Sequence, residues 1–203
     1  RRILIITDGV FSMDGDIAKL DEIYKIGSEV GAMIYVDDAH GEGVLGEKGK
    51  GIVNHFKLDH DKIHIEMGTF SKAFGTVGGH ISGSNDLINF AWNKCRTLLL
   101  SSALPPSVVA STIAAIDVLD KEPEHVRKLW ENTNYFKKIL KDLGFNTGIS
   151  ETPIIPIIVN KSQIAQNFAA RLYENGIYVV SIVYPMVAKD KARIRLQMNS
   201  QLN

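Results

Sequence analysis

Two short stretches carry residue types that can do chemistry together. Lys72 sits in Gly68-Thr69-Phe70-Ser71-Lys72-Ala73-Phe74-Gly75, among small residues and hydroxyls, directly after the apolar run Ile63 to Met67. Asp37 and His40 sit in Val36-Asp37-Asp38-Ala39-His40, at the end of another apolar run. A lysine that is to attack a carbonyl must be partly deprotonated near neutral pH, and burial or nearby cations achieve this. An aldehyde cofactor captures such an amine as a Schiff base. For pyridoxal phosphate the protein must also keep a proton on the ring nitrogen, so that the ring becomes an electron sink. Asp37 is the candidate carboxylate for that task. His40 can hydrogen-bond the ring's phenolic oxygen, and Thr69 and Ser71 offer hydroxyls to the phosphate. The plainer alternatives are a surface lysine on a glycine-rich turn, and an Asx turn at Asp37 followed by a loop histidine.

Elements must exist that bring the two stretches together. Asp37 and Lys72 lie one strand-crossover-strand repeat apart, a unit of ~30 residues or more. A right-handed crossover returns the chain to the same parallel sheet. Both strand ends then open onto the rim where ligands of open α/β sheets bind. Ile3 to Thr7 is a continuous apolar run, as expected of a parallel strand buried on both faces, and Met33 to Val36 and Ile63 to Met67 read as further strands. Apolar spacing predicts a helix within Ile17 to Val30. Further helices are expected over Ile52 to Phe56, Asn85 to Lys94, Pro105 to Leu119 and His125 to Leu143. Gly78 to Ser82 and Thr97 to Leu100 read as strands. Beyond Phe145 the strand Ile154 to Val159 contains Pro156, which favours an edge position. A helix capped by Ser162 runs to Glu174, and strands follow at Tyr178 to Val183 and Ala192 to Met198. The domain boundary falls near Lys121 to Glu124, between a mostly parallel α/β part (1–121) and a smaller α+β part (122–203).

Composition excludes several classes. The 203 residues balance 23 Lys+Arg against 23 Asp+Glu, so nothing points to nucleic acid or an anionic membrane. The single cysteine, Cys95, cannot form an internal disulfide and suits a reducing cytoplasm. No apolar run approaches the ~20 residues of a membrane span, and no signal peptide is evident. The opening Arg1-Arg2-Ile3-Leu4-Ile5-Ile6 reads as a strand already under way, which suggests a fragment.

Other motifs are weaker. Gly41-Glu42-Gly43-Val44-Leu45-Gly46 matches the dinucleotide fingerprint, with Asp61 downstream. That fingerprint must open a helix, yet Glu47-Lys48-Gly49-Lys50-Gly51 forms helix poorly, and three carboxylates crowd the place of the pyrophosphate. The ATPase phosphate loop is absent. Asp59-His60-Asp61 with His64 lacks the regular spacing of a metal site and reads as a solvated loop. Cys95 reads as a small hydrophobe on its helix.

Val36-Asp37-Asp38-Ala39-His40-Gly41 and Gly68 to Gly75 resemble the α-oxoamine synthases, a branch of the fold-type-I pyridoxal-phosphate enzymes. Asp8-Gly9-Val10-Phe11-Ser12-Met13-Asp14-Gly15-Asp16 and Ala192-Arg193-Ile194-Arg195 resemble further stretches of the same family. The resemblance covers essentially the whole chain in the family's order. It implies the C-terminal half of the large pyridoxal-phosphate domain, followed by an incomplete small α+β domain.

The same resemblance implies roles. Lys72 would form the internal aldimine and serve in proton transfer, Asp37 would pair with the ring nitrogen, and His40 would contact the ring oxygen. Thr69 would bind the phosphate, and Ser12 would lie beside cofactor and substrate. Ser101 and Ser102 would reach the phosphate of a neighbouring subunit, implying a homodimer with shared sites. Arg195 would hold the amino-acid carboxylate, a grip that suits a bidentate guanidinium; the alternative for Arg195 is a salt bridge on an edge strand. The substrates implied are an amino acid and an acyl-CoA. Within the family, Gly176 to Val180 and the run through Tyr184-Pro185 to Met198 look most like glycine C-acetyltransferase (2-amino-3-ketobutyrate CoA ligase), using glycine and acetyl-CoA. Asp38-Ala39-His40-Gly41 fits 8-amino-7-oxononanoate synthase equally well, and Gly68 to Lys72 leans toward the serine-using relatives. An aminotransferase of the same fold and a non-catalytic scaffold subunit are the remaining alternatives. The chain also departs from the family's pattern. Asp8 stands where relatives usually carry glutamate, and Ala188 and Asp190 where they often carry proline and glycine.

Overall fold

A computed structural model describes residues 2–202. It resolves into two units. One holds the residues up to Val10 together with Ala18–Val126; the other holds Phe11–Ile17 together with the residues from Arg127 onward. The sequence reading keeps residues 11–17 in the first part and breaks the chain at 121.

In the first unit β1 (Leu4–Asp8) leads through α1 (Leu20–Glu29) to β2 (Met33–Asp37). The short α2 (Ile52–His55) precedes β3 (Ile65–Thr69) and β4 (Gly79–Gly83). The helices α3 (Asn85–Lys94), α4 (Arg96–Leu99) and α5 (Pro106–Lys121) follow. The sheet order is β1-β2-β3-β4, with the first three strands parallel and β4 antiparallel to β3. Ile34 and Val36 alternate into the core of this unit, as a period of two requires. Leu4 and Ile6, on one face of the edge strand β1, are 52% and 66% exposed, so this strand is not buried on both faces. Thr97 to Leu99 is helical and Leu100 caps the helix, so this stretch is not a strand. The Cys95 carbonyl accepts from the amides of Leu98 and Leu99 at 3.1 and 2.9 Å. A short apolar run carries too little periodicity to distinguish the two. After Gly41 to Gly46 comes only a single 3-10 turn, Glu47–Gly49, with Lys48 left-handed at φ 55°. The helix that a dinucleotide fingerprint requires is not formed there.

The second unit is a three-stranded antiparallel sheet with helices. Its elements are α6 (Glu124–Asp142), which begins just before the unit does, β5 (Ile154–Asn160), α7 (Ser162–Glu174), β6 (Val180–Ile182) and β7 (Ala192–Gln197), with strand order β5-β7-β6. Leu140, Ile155, Ile157, Ala165 and Ile194 form its core. Pro156 sits in the edge strand β5, where its missing N–H breaks no ladder bond. Ser162 is the first residue of α7 and does not cap it; Lys161 holds the cap position without a side-chain bond. Residues 11–17 are tied to this unit through the Gly15 carbonyl, which accepts from the Glu151 and Thr152 amides and the Thr152 hydroxyl at 2.9, 3.1 and 2.9 Å. Among the described residues, no helix is long and apolar enough to cross a membrane.

Candidate active site

Three parallel strands deliver their last residues to one rim of the first unit. Asp8 ends β1 directly opposite Asp37, the end of β2, and Thr69 ends β3 three residues before Lys72. The electrostatics show that these groups share a neighbourhood. Desolvation pushes the Asp8 carboxyl above the usual carboxylate range, the Asp37 charge pushes it further, and the Lys72 ammonium pulls it back. Lys72 is solvent-exposed in this chain, and its charge is felt by the Asp8 carboxyl. The burial that the sequence reading asks of it is therefore not what the single chain supplies.

Asp37 is half-buried and its Oδ1 accepts the Ala39 amide at 3.0 Å, which fixes the carboxylate at the start of the turn. His40 lies on that turn, half-buried. The Thr69 hydroxyl donates to the Gly78 carbonyl at 3.1 Å and lies 2.9 Å from the Ser71 hydroxyl. Thr69 and Ser71 thus form a small hydroxyl cluster at the root of the lysine loop. The two loops touch at Gly43, whose φ is +76° and whose absent Cβ would strike Ala73. Any side chain at position 43 would displace the residue next to Lys72.

Asp38 is a different kind of carboxylate. It is 4% exposed, its Oδ2 accepts the Ile52 amide at 2.7 Å, and its buried Oδ1 meets no partner among the described residues. Burial, with Glu42, Glu66 and Asp37 adding like charge, pushes its pKa up to about 7 despite the Ile52 amide. It ties the turn after β2 to α2.

In the second unit Arg195 and Ser12 come together. Arg195, on β7, donates through Nη1 to the Ser12 carbonyl at 3.1 Å, while its buried Nε has no partner among the described residues. Arg195 also borders a cavity of about 590 Å³ walled by Phe136, Tyr178, Val180 and Met198. Arg193 was not singled out from sequence, although the period of two in Arg-Ile-Arg puts both arginines on one face of β7. It is 6% exposed, donates to the carbonyls of Met13 and Lys191 at 3.1 Å each, and pairs with Asp14. Asp8 was noted in the sequence only as a departure from the family's glutamate and given no role; the signal for one was its place at the end of β1. Ser101 and Ser102 lie on the exposed turn after α4, where the Ser101 hydroxyl donates to the Leu98 carbonyl at 3.3 Å. Among the described residues, no hydrogen bond joins either serine to Asp37, Thr69 or Lys72.

The donor set at the rim fits pyridoxal phosphate. A fixed carboxylate can accept from a protonated ring nitrogen, an amine can meet an aldehyde, and clustered hydroxyls can donate to phosphate oxygens.

Comparison with known proteins agrees with this chemistry. The chain matches the family described as aminotransferase class I and II over residues 1–203. It is 50% identical over 200 residues to the 8-amino-7-oxononanoate synthase of Fervidobacterium nodosum, covering 98% of this chain and 50% of that protein. It is 53% identical over 192 residues to the enzyme of the same name from Thermoanaerobacter pseudethanolicus, covering 95% and 48%. A serine palmitoyltransferase structure holding a pyridoxal-phosphate internal aldimine superimposes with a TM-score of 0.93 at 31% identity, covering 98% of this chain and 50% of that one. The chain thus spans about half the length of the relatives it matches. It belongs to the α-oxoamine synthase branch of the class I and II aminotransferase family, whose fold is pyridoxal-phosphate-dependent.

Proposed function

We propose that the protein of which this chain is part condenses an amino acid with an acyl thioester, with pyridoxal phosphate held at Lys72. The observation that carries the reading is the gathering of Asp8, Asp37 and Lys72 at one sheet rim. When bound, the cofactor supplies an aldehyde for amines and a ring that takes up electrons from the substrate Cα. Lys72 offers the amine that holds the cofactor and, once released, is the base for the Cα proton. Asp37, fixed by the Ala39 amide, keeps the ring nitrogen protonated. His40 orients the ring through its oxygen, and Thr69 with Ser71 donates to the phosphate. Arg195 grips the amino-acid carboxylate bidentately, with Ser12 beside the substrate. Ser101 and Ser102 serve the phosphate of a second subunit in a homodimer.

Among substrates, the roughly 50% identity to two 8-amino-7-oxononanoate synthases favours that reaction over the glycine and acetyl-CoA pair expected from the C-terminal run. The product's own structure names its parts. Cut between carbons 7 and 8, it gives a seven-carbon dicarboxylic acyl group and an alanine skeleton that has lost its carboxyl as CO₂. One thioester and one alanine therefore yield one product, one CO₂ and one free thiol.

The test is reduction of the purified protein with borohydride in the presence of pyridoxal phosphate, followed by peptide mass mapping. The expected result is a pyridoxyl label on Lys72, absent in Lys72→Ala. Release of thiol from a seven-carbon dicarboxylic thioester should require alanine, not glycine or serine. No label at Lys72 would leave a non-catalytic scaffold as the better reading, and turnover with glycine and acetyl-CoA would restore the glycine acetyltransferase.

A further inference from the structure

The lysine loop runs from Phe70 to Gly78 and is closed by backbone bonds. The Phe70 amide donates to the Gly78 carbonyl at 3.0 Å, and the Thr76 amide to the Phe70 carbonyl at 2.8 Å. The Thr76 hydroxyl lies 2.8 Å from that of Thr112 on α5, which secures the loop's far side. On the near side stands a contact that no role above uses. His80 Nε2 lies 3.0 Å from Glu42 Oε1 and 3.3 Å from Oε2. A carboxylate only accepts, so Nε2 carries the proton and donates. The His80 ring stacks on Phe70, with centroids 5.1 Å apart and planes 25° from parallel. Phe70 in turn meets the edge of Phe74 at 6.1 Å. Lys72 lies midway between those two phenylalanines in the chain. Glu42 itself lies over Gly68, where any Cβ would strike its carboxylate. It is two residues beyond His40 and adjacent to Gly43, which touches Ala73.

We propose that Glu42 and His80 are positioning residues for Lys72, locking the loop that carries the amine to the loop that carries Asp37 and His40. The inference rests on the cofactor role given to Lys72 above. The sequence of contacts is Glu42 to His80, His80 to Phe70, and Phe70 to Phe74, so the base of the lysine loop is held from the β2 side. The Glu42 hydrogen bond chiefly, with the charges of Glu42 and Glu66, raises the His80 pKa, and burial opposes this. A protonated imidazole on the Phe70 face adds a cation–π attraction to the stack.

The pair is tested in the intact protein with Glu42→Gln, His80→Gln and His80→Phe, the last retaining a stacking ring without the ion pair. Hydrogen exchange of residues 70–78 is measured without cofactor, and pyridoxal-phosphate affinity is measured from the visible absorbance band on titration. Exchange in the loop should rise, and affinity fall, by about tenfold in His80→Gln, as befits the loss of one charge-assisted hydrogen bond. His80→Phe keeps the ring stack but not the bond to Glu42, so exchange in the loop should stay raised, and wild-type and variant unfolding midpoints should stay close. Unchanged exchange at 70–78 in both Glu42→Gln and His80→Gln would overturn the inference, whatever the cofactor does. So would faster exchange with unchanged affinity, since the loop would then be held for some other end. Should wild type itself capture no pyridoxal phosphate, the function assigned to Lys72 fails, and the positioning role fails with it. Capture by wild type with no loss in the variants overturns the positioning role alone.

Discussion

Asp8 and Asp37 are neighbours across the last rung of the β1–β2 ladder, two carboxylates at the mouth of a parallel sheet. Parallel pairing in this register sets both carboxylates at the same end of the sheet. Their like charges are tolerable because water reaches Asp8 and because Lys72 contributes a countercharge.

The Asp8 carboxyl should therefore report on both neighbours with opposite sign. Asp37→Asn removes a raising influence and should lower the Asp8 pKa. Lys72→Ala removes the lowering one and should raise it. Carboxyl-carbon NMR titration of the cofactor-free protein checks this. Shifts of the same sign in the two variants would mean that Lys72 points away from the rim.

Asp38 sets a pH dependence of stability. Its pKa is about 7 when folded, against 3.8 in the unfolded chain, so between those values the folded state holds more protons. Stability from this group therefore falls as pH rises from about 4 to about 7. Asp38→Asn can still accept the Ile52 amide but cannot ionise. Relative to the variant, wild type should lose up to about 4 kcal/mol across that window. Denaturant unfolding at several pH values measures the difference, and parallel curves would show that Asp38 titrates normally.

Much of the rim was legible because it depends on one-dimensional facts. Apolar runs of strand length, each ending in a reactive residue, and a crossover of the right span suffice to place Asp37 and Lys72 near one another. What stayed hidden depends on pairing partners. That β4 turns back antiparallel, which makes the lysine segment the loop of a hairpin, has no local signature in Gly78 to Ser82. Residues 11–17 belong with the second unit through the Gly15 carbonyl, a backbone group that no side-chain pattern announces. Arg193 and Arg195 alternate on one strand face, yet their different burdens emerge only once the loop they hold is known. Asp38 and Asp37 are adjacent and identical in the sequence; only burial separates the enclosed acid with the raised pKa from the half-buried one proposed to meet the cofactor.

Gly43 and Gly31 form a natural pair of probes. Both have positive φ, +76° and +63°, but an added Cβ at Gly31 meets nothing within 4 Å, whereas at Gly43 it strikes Ala73. Gly31→Ala should cost only the left-handed backbone penalty of about 1 kcal/mol. Gly43→Ala should cost that and about 1–3 kcal/mol more for the clash. It should also weaken pyridoxal-phosphate capture, which Gly31→Ala should leave alone. Equal stability losses from chemical denaturation would show that the two loops do not touch.

The two arginines of β7 should separate stability from substrate binding. Arg193 is enclosed, donates to two carbonyls and pairs with Asp14, whose own side chain is 43% exposed and can regain water. Arg193→Met strips the loop of those bonds and should destabilise the protein by about 2–3 kcal/mol, below the full cost of breaking a wholly buried pair. Arg195 makes one bond to the Ser12 carbonyl, and its Nε is unpartnered. Arg195→Lys should cost about 1 kcal/mol in stability. Lysine cannot form the two parallel bonds of a guanidinium to a carboxylate, so the KM for the amino acid should rise about tenfold or more with a smaller change in kcat. Unfolding curves and steady-state kinetics on both variants decide the matter. An Arg195→Lys enzyme with unaltered KM would make Arg195 a second structural clamp on residues 11–17 and leave the carboxylate of the amino acid to another residue.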